Sequence, residues 1–216
     1  MDSSPIGDYA LLSDCRSAAL VSRDGSVDWL CFPRFDAPSV FCRLLDPAGG
    51  RFAIRPAGEF RASRRYVDQT MVLETTFTTA GGTAVLTDAL ALGRNDRGHD
   101  LGAGSPGVLL RRLVCTGGEI DVEVIYAPRP EYGLIHPFLV AVPGGLAARG
   151  GADRLLLSTP VSLDVGDMAT ARIHLAAGQA AVFALGHGQM AGSPLAPWTA
   201  EEITARLDDT VAGWRS

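Results

Sequence analysis

The sequence predicts an all-β fold, a large antiparallel β-sandwich of two stacked sheets, with one α-helix near its C-terminal end. Three observations carry this. Short runs rich in β-branched and aromatic residues recur along the chain, Asp-Gly and Gly-Gly pairs punctuate them, and a single strong helix-start signature stands at residue 199. A chain of 216 residues is long enough to bury roughly 70% of the surface it would expose unfolded. It fits one all-β unit of about 200 residues or two domains of about 100.

Residues 16–22 and 27–32 flank Arg23-Asp24-Gly25-Ser26. Asp-Gly supplies the positive φ angles that a tight hairpin requires, so these runs are paired. A short helix is expected around residues 39–45. Residues 71–79 are paired with 83–92 across Ala80-Gly81-Gly82, and 108–116 with 120–126 across Gly117-Gly118, making three hairpins. Between them, residues 93–107 are rich in Gly, Asp, Asn and Arg and read as a long surface loop. In residues 119–124 charged and apolar side chains alternate, which places Ile120, Val122 and Val124 in the core and the carboxylates in water. Residues 139–142, 154–158, 169–176 and 180–185 add four strands, and this number suggests two large stacked sheets. The order of the strands is not legible.

Thr199-Ala200-Glu201-Glu202 forms a capping box, in which the threonine hydroxyl accepts from the N3 amide and Glu202 reaches back to the cap amide. Trp198 and Ile203 stand where a hydrophobic staple would be. Ile203, Leu207, Val211 and Trp214 recur on one helical face.

The 24 acidic and 19 basic side chains are mixed along the chain and leave a formal charge of -5. No basic face is available for a phosphate backbone, so nucleic acid is not an expected partner. No apolar run approaches the roughly 18 residues that cross a bilayer, and Met1-Asp2-Ser3-Ser4-Pro5 lacks the basic and apolar parts of a secretion signal. A cytoplasmic protein with no membrane partner is expected. Cys15, Cys31, Cys42 and Cys115 form no C-x-x-C pair and sit among apolar residues, which predicts four buried free thiols.

Gly102-Ala103-Gly104-Ser105-Pro106-Gly107 matches a dinucleotide fingerprint letter for letter. Such a fingerprint follows a strand and opens a helix, whereas here a charged loop precedes and a strand-like run follows. Ordinary loop glycine explains it, and no cofactor is expected. His99, His136, His174 and His187 are far apart, and no metal site is expected. Glycoside hydrolysis needs two carboxyl groups across the scissile bond, one held protonated and one ionised. The carboxylates here lie mostly in turns or on exposed strand faces, where neither state is easily tuned, so no catalytic residue is assigned.

The segment with the most unusual chemistry runs from Asp28 through Trp29, Arg34, Phe35 and Asp36 and leaves its strand by two prolines. Aromatic rings stack on sugar faces, and Asp and Arg hold hydroxyls, so these five are candidate substrate contacts. The plainer reading packs Trp29 in the core and ties the loop with an Arg34–Asp36 pair. A second segment, with Arg129, Glu131 and Tyr132, mixes aromatic and charged groups after a strand. It is a candidate domain interface, together with Trp214.

Residues 5–31, from Pro5-Ile6-Gly7-Asp8-Tyr9 to Val27-Asp28-Trp29-Leu30-Cys31, with Pro33-Arg34-Phe35-Asp36, resemble the opening of bacterial family-15 glycoside hydrolases, the glucoamylase-like and trehalase-like enzymes. Arg111-Arg112-Leu113-Val114, Pro128-Arg129-Pro130-Glu131-Tyr132-Gly133 and Thr210-Val211-Ala212-Gly213-Trp214 resemble later landmarks of the same N-terminal domain. The resemblance implies an antiparallel supersandwich over residues 1–197 and a linker helix over 198–216, leading toward a helical-barrel catalytic domain that carries both catalytic glutamates. It therefore implies a noncatalytic N-terminal domain of an α-glucosidic hydrolase, inactive in isolation and acting on an α-glucoside sugar only with that partner. The alternative is a free-standing carbohydrate-binding or scaffolding sandwich. Without the barrel, Trp214 is expected to lie in an exposed apolar patch that favours homo-oligomers through a symmetric contact.

Overall fold

The computed structural model describes residues 5–216. Its strands in chain order are β1 (Ala10–Ser13), β2 (Ala18–Val21), β3 (Ser26–Cys31), β4 (Ser39–Phe41), β5 (Arg51–Pro56), β6 (Arg61–Tyr66), β7 (Leu73–Thr78), β8 (Gly82–Leu90), β9 (Val108–Ala127), β10 (Phe138–Val142), β11 (Gly145–Gly150), β12 (Asp153–Ser158), β13 (Asp164–Val165), β14 (Ala169–Ala176) and β15 (Ala180–Gln189). One α-helix, α1 (Ala200–Trp214), follows them. It is shorter than the 18 residues of a membrane-crossing helix, as is every helix among the described residues.

The fold is organised around β9. Its first half pairs with β8 and β15, as in Leu109↔Leu90 and Leu109↔Leu185. Its second half pairs with β5 and β14, as in Val124↔Ile54 and Val124↔Ala171. One group of strands therefore runs β1-β2-β3-β5-β9-β14-β13, with β4 also on β3, and the other β6-β7-β8-β9-β15-β12-β11-β10, all antiparallel. The all-β sandwich expected from the sequence is the fold observed. Phe52 of β5 stands edge-on to Tyr126 of β9 at 5.6 Å and to Phe183 of β15 at 5.8 Å, so aromatic rings bridge the two groups within one core.

The hairpin of β2 and β3 forms with Gly25 at φ 76, and the hairpin of β7 and β8 forms with the pairing expected, although neither Gly81 nor Gly82 takes a positive φ. Gly117-Gly118 does not make a third hairpin. β9 runs through it as one strand of 20 residues, and its halves pair with different neighbours. Gly118 takes φ +67 and comes so close to the β7–β8 turn that a Cβ there would lie 2.1 Å from the Gly81 carbonyl oxygen. The glycines therefore mark the corner where β9 passes from one sheet to the other.

Residues 39–45 also differ from expectation. Ser39, Val40 and Phe41 are all buried, and Phe41 pairs with Leu30. Strand pairing thus prevails over local helix preference, and a single turn follows, with Leu45 and Asp46 amides donating to the Cys42 carbonyl. Cys31, Cys42 and Cys115 are buried free thiols as expected, whereas Cys15 is exposed, in a tight β1–β2 turn at φ 68.

Helix α1 starts where the capping box places it. Thr199 Oγ1 accepts from Glu202 N at 3.2 Å, and Glu202 Oε2 accepts from Thr199 N at 2.8 Å. Ile203 and Leu207 close a second apolar cluster with Val72, Ala89, Ala91, Val108, Leu110, Val182 and Ala184, so α1 covers the outer face of β8, β9 and β15. Trp198, Val211 and Trp214 pack against this cluster partly buried. Trp214 is therefore half-buried rather than bare as expected, though its indole and residues 66–71 of the β6–β7 turn still line an open surface cleft.

Candidate functional site

The loops that leave β3, β4, β8 and β9 gather at one end of the sandwich. Contacts between distant segments fix them there: Phe35 N donates to Arg16 O at 3.0 Å, Arg16 Nη2 to Ala103 O at 2.6 Å and Arg129 N to Val40 O at 2.9 Å. Beneath them Phe32 is buried, 5.9 Å from the His187 ring of β15.

Asp28 and Trp29 are neighbours on β3 and point to opposite faces, as strand geometry requires. The Asp28 side chain is fully buried and accepts from Tyr9 Oη at 2.9 Å, Ser26 Oγ at 2.5 Å and Arg43 Nη1 at 3.1 Å. It ties three segments together and presents nothing to solvent. Trp29 is half-buried on the outer face, its ring centroid 6.3 Å from that of Tyr132 at a tilt of 41°.

Tyr132 reaches this place because Glu131 and Tyr132 take successive left-handed conformations, φ 56 and 57, which turn the chain sharply after β9. Tyr132 is 52% exposed, and its backbone amide donates to Ser39 O. Arg129 is 5% exposed and works inward, pairing with Asp167 Oδ2 at 2.9 Å. Phe35 is 58% exposed at the tip of the first loop. Beside it Arg34 Nε and Asp36 Oδ1 form a surface pair at 3.0 Å, a geometry that holds its partners weakly and leaves both free to meet a ligand. The structure thus brings Trp29 and Tyr132 together, sets Arg34, Phe35 and Asp36 on an exposed tip, and keeps Asp28 and Arg129 inside. Trp214 stands apart from them on the helix.

One carboxylate at this end carries no signal in the sequence. Asp14, 1% exposed, accepts through Oδ1 from the amides of Arg16 at 3.0 Å and Ser17 at 2.7 Å, while Oδ2 is buried with no hydrogen-bond partner. Burial pushes its pKa up against those hydrogen bonds. Although Cys15 is exposed overall, partial desolvation on the side packed against Gly102 raises its thiol, helped by Asp14 and Asp96, and burial pushes Cys31 up to about 11, so both thiols stay protonated at neutral pH and are poor nucleophiles.

Residues 1–204 match the model of the trehalase-like N-terminal domain. The chain belongs to this trehalase-like N-terminal family. Among curated relatives, a trehalase of Mycolicibacterium smegmatis is 32% identical over 98% of the chain, which covers 34% of that protein. A trehalase of Mycobacterium tuberculosis is 31% identical over 98% of the chain and 33% of its own length. Trehalase 1 of Sulfolobus acidocaldarius is 34% identical over 66% of the chain and 23% of its own length. The chain spans about a third of the length of the first two trehalases.

Proposed function

We propose that this chain is the noncatalytic N-terminal domain of a trehalase-like α-glucosidic hydrolase, supporting a helical-barrel catalytic domain and lending its loop end to the wall of that domain's pocket. The observation that carries the reading is the Trp29–Tyr132 pair, which places the two chemically unusual segments of the sequence side by side on one exposed surface. A half-buried aromatic pair offers a rigid apolar face at small entropic cost. On the loop that follows β3, Phe35 and the Arg34–Asp36 pair add exposed groups suited to a sugar face and its hydroxyls. Trehalose is preferred to glucoamylase-type substrates for the whole protein because the relatives matched over nearly the full chain are named trehalases. Four unpaired cysteines favour a reducing, cytoplasmic setting.

The test is glucose release from trehalose by the isolated chain, and by a chimera in which it replaces the corresponding third of the Mycolicibacterium smegmatis trehalase. The chimera is expected to turn over and the isolated chain is not. Turnover by the isolated chain that survives repurification and disappears on replacing one of its carboxylates overturns the reading.

A further inference from the structure

The outer face of the sheet that carries α1 continues past the helix onto β12, β11 and β10. The register places Val140, Ala147, Leu156 and Gly186 in one cross-strand row, and Phe138, Arg149, Arg154 and Gly188 in the next. Ala147 and Leu156 are each 6% exposed and form an apolar floor. The segment before α1 folds over its edge: Leu195 lies against Gly188 and Pro197 against Gly144, where added Cβ atoms would meet them at 3.2 and 3.0 Å. With Val142, Met190 and Pro194 these groups enclose a pocket of about 460 Å³, within the range of small-ligand sites.

The pocket is one-sided in charge. Arg149 and Arg154 line it and no carboxylate does. Among the described residues neither arginine has an ion-pair partner, since the nearby Asp153 is taken by His187 at 2.8 Å. Arg154 Nη2 donates to Met190 O at 3.0 Å, and its Nε is buried with no hydrogen-bond partner. A buried donor left unmade is costly, and a guanidinium matches a carboxylate with two parallel hydrogen bonds.

We propose that this pocket is a binding site for a small amphiphilic carboxylate, its apolar body on Ala147 and Leu156 and its carboxylate on Arg149 and Arg154. The site is separate from the Trp29–Tyr132 surface and independent of the hydrolase reading. Amide NMR titration of the full chain with octanoate, 1-octanol and acetate tests it. Octanoate is expected to saturate at about 1 mM or below, shifting residues around Ala147 and Leu156. Octanol and acetate should each bind at least tenfold more weakly. Arg149→Glu, at an exposed position, should weaken octanoate at least tenfold without changing the octanol response. Octanol binding as tightly as octanoate, an Arg149→Glu variant that binds octanoate unchanged, or shifts spread over the whole surface would overturn the proposal.

Discussion

Arg111 and Asp88 face each other across β9 and β8 with both side chains fully buried, Nε to Oδ1 at 2.8 Å and Nη2 to Oδ2 at 3.1 Å. The guanidinium also donates to the backbone oxygens of Phe52 at 2.5 Å and Gly25 at 2.7 Å, and lies 4.8 Å from the centre of the Phe52 ring. A single arginine therefore ties one sheet to the other through the middle of the core. Burial raises the Asp88 pKa, and the charge and hydrogen bonds of Arg111 work against that rise.

Removing one partner leaves an uncompensated buried charge, so Asp88→Ala should cost about 3–5 kcal/mol in denaturant unfolding. The Asp88→Leu/Arg111→Met pair removes both charges but also takes a charged donor from the buried Phe52 and Gly25 carbonyls, of which Gly25 O keeps the Ile54 amide at 3.2 Å, and losing such bonds costs about 1–3 kcal/mol. The double variant is thus expected to remain less stable than the parent. A cost below about 1 kcal/mol for Asp88→Ala would show that the ion pair contributes little.

The corner in β9 gives a sharper contrast. Gly118→Ala forces a side chain into φ +67 and onto the Gly81 oxygen, and should destabilise by more than about 2 kcal/mol. Gly117 has open space and ordinary φ, so Gly117→Ala should stay within about 1 kcal/mol. Equal costs at the two positions would contradict the corner geometry.

These two glycines also show where sequence reading stops. Asp24-Gly25 was legible because a tight turn, here three residues closed by Ser22 and Ser26 with Gly25 left-handed, is a local event, and Thr199 because a capping box closes within one helical turn. Gly117-Gly118 carries the same letters as a hairpin turn, yet its conformation is set by β5, β8, β14 and β15, which lie far away in the chain. β6 was invisible because Arg61-Ala62-Ser63-Arg64-Arg65-Tyr66 is an edge strand exposed along most of its length and shows no apolar alternation. In the site, composition drew attention to Trp29 and Tyr132 separately, but their contact depends on left-handed residues 131 and 132, and neither is glycine. Asp28 and Arg129 were singled out for their charge, and burial has turned that charge inward.

Trp29 and Tyr132 touch, so their effects on a chimeric trehalase should be coupled. Each alanine variant is expected to raise KM for trehalose about two- to tenfold, in keeping with the worth of an aromatic contact. The double variant should be no worse than about the stronger single. Unchanged kinetics in variants that keep the parent's melting temperature would confine the pair to a packing role.

Asp209 on α1 anchors the loop of residues 93–107. Its Oδ1 accepts from Arg97 Nη2 at 2.6 Å and its Oδ2 from Asn95 N at 3.1 Å, with the side chain 21% exposed. Burial works to raise its pKa, but the hydrogen bonds from Arg97 and Asn95, with the charges of Arg97 and Arg206, hold it below the ordinary value. The unfolded chain therefore binds this proton more readily than the folded one. Stability from Asp209 is fully present above the unfolded pKa of about 3.9 and is lost as pH falls through the lower folded value. Asp209→Asn keeps the shape and removes the charge, and should cost about 1 kcal/mol at pH 7. Urea unfolding of parent and variant should show a gap that is constant from about pH 7 to 5 and narrows below about pH 4. A gap that stays the same down to about pH 2 would mean that Asp209 acts through packing rather than through its charge.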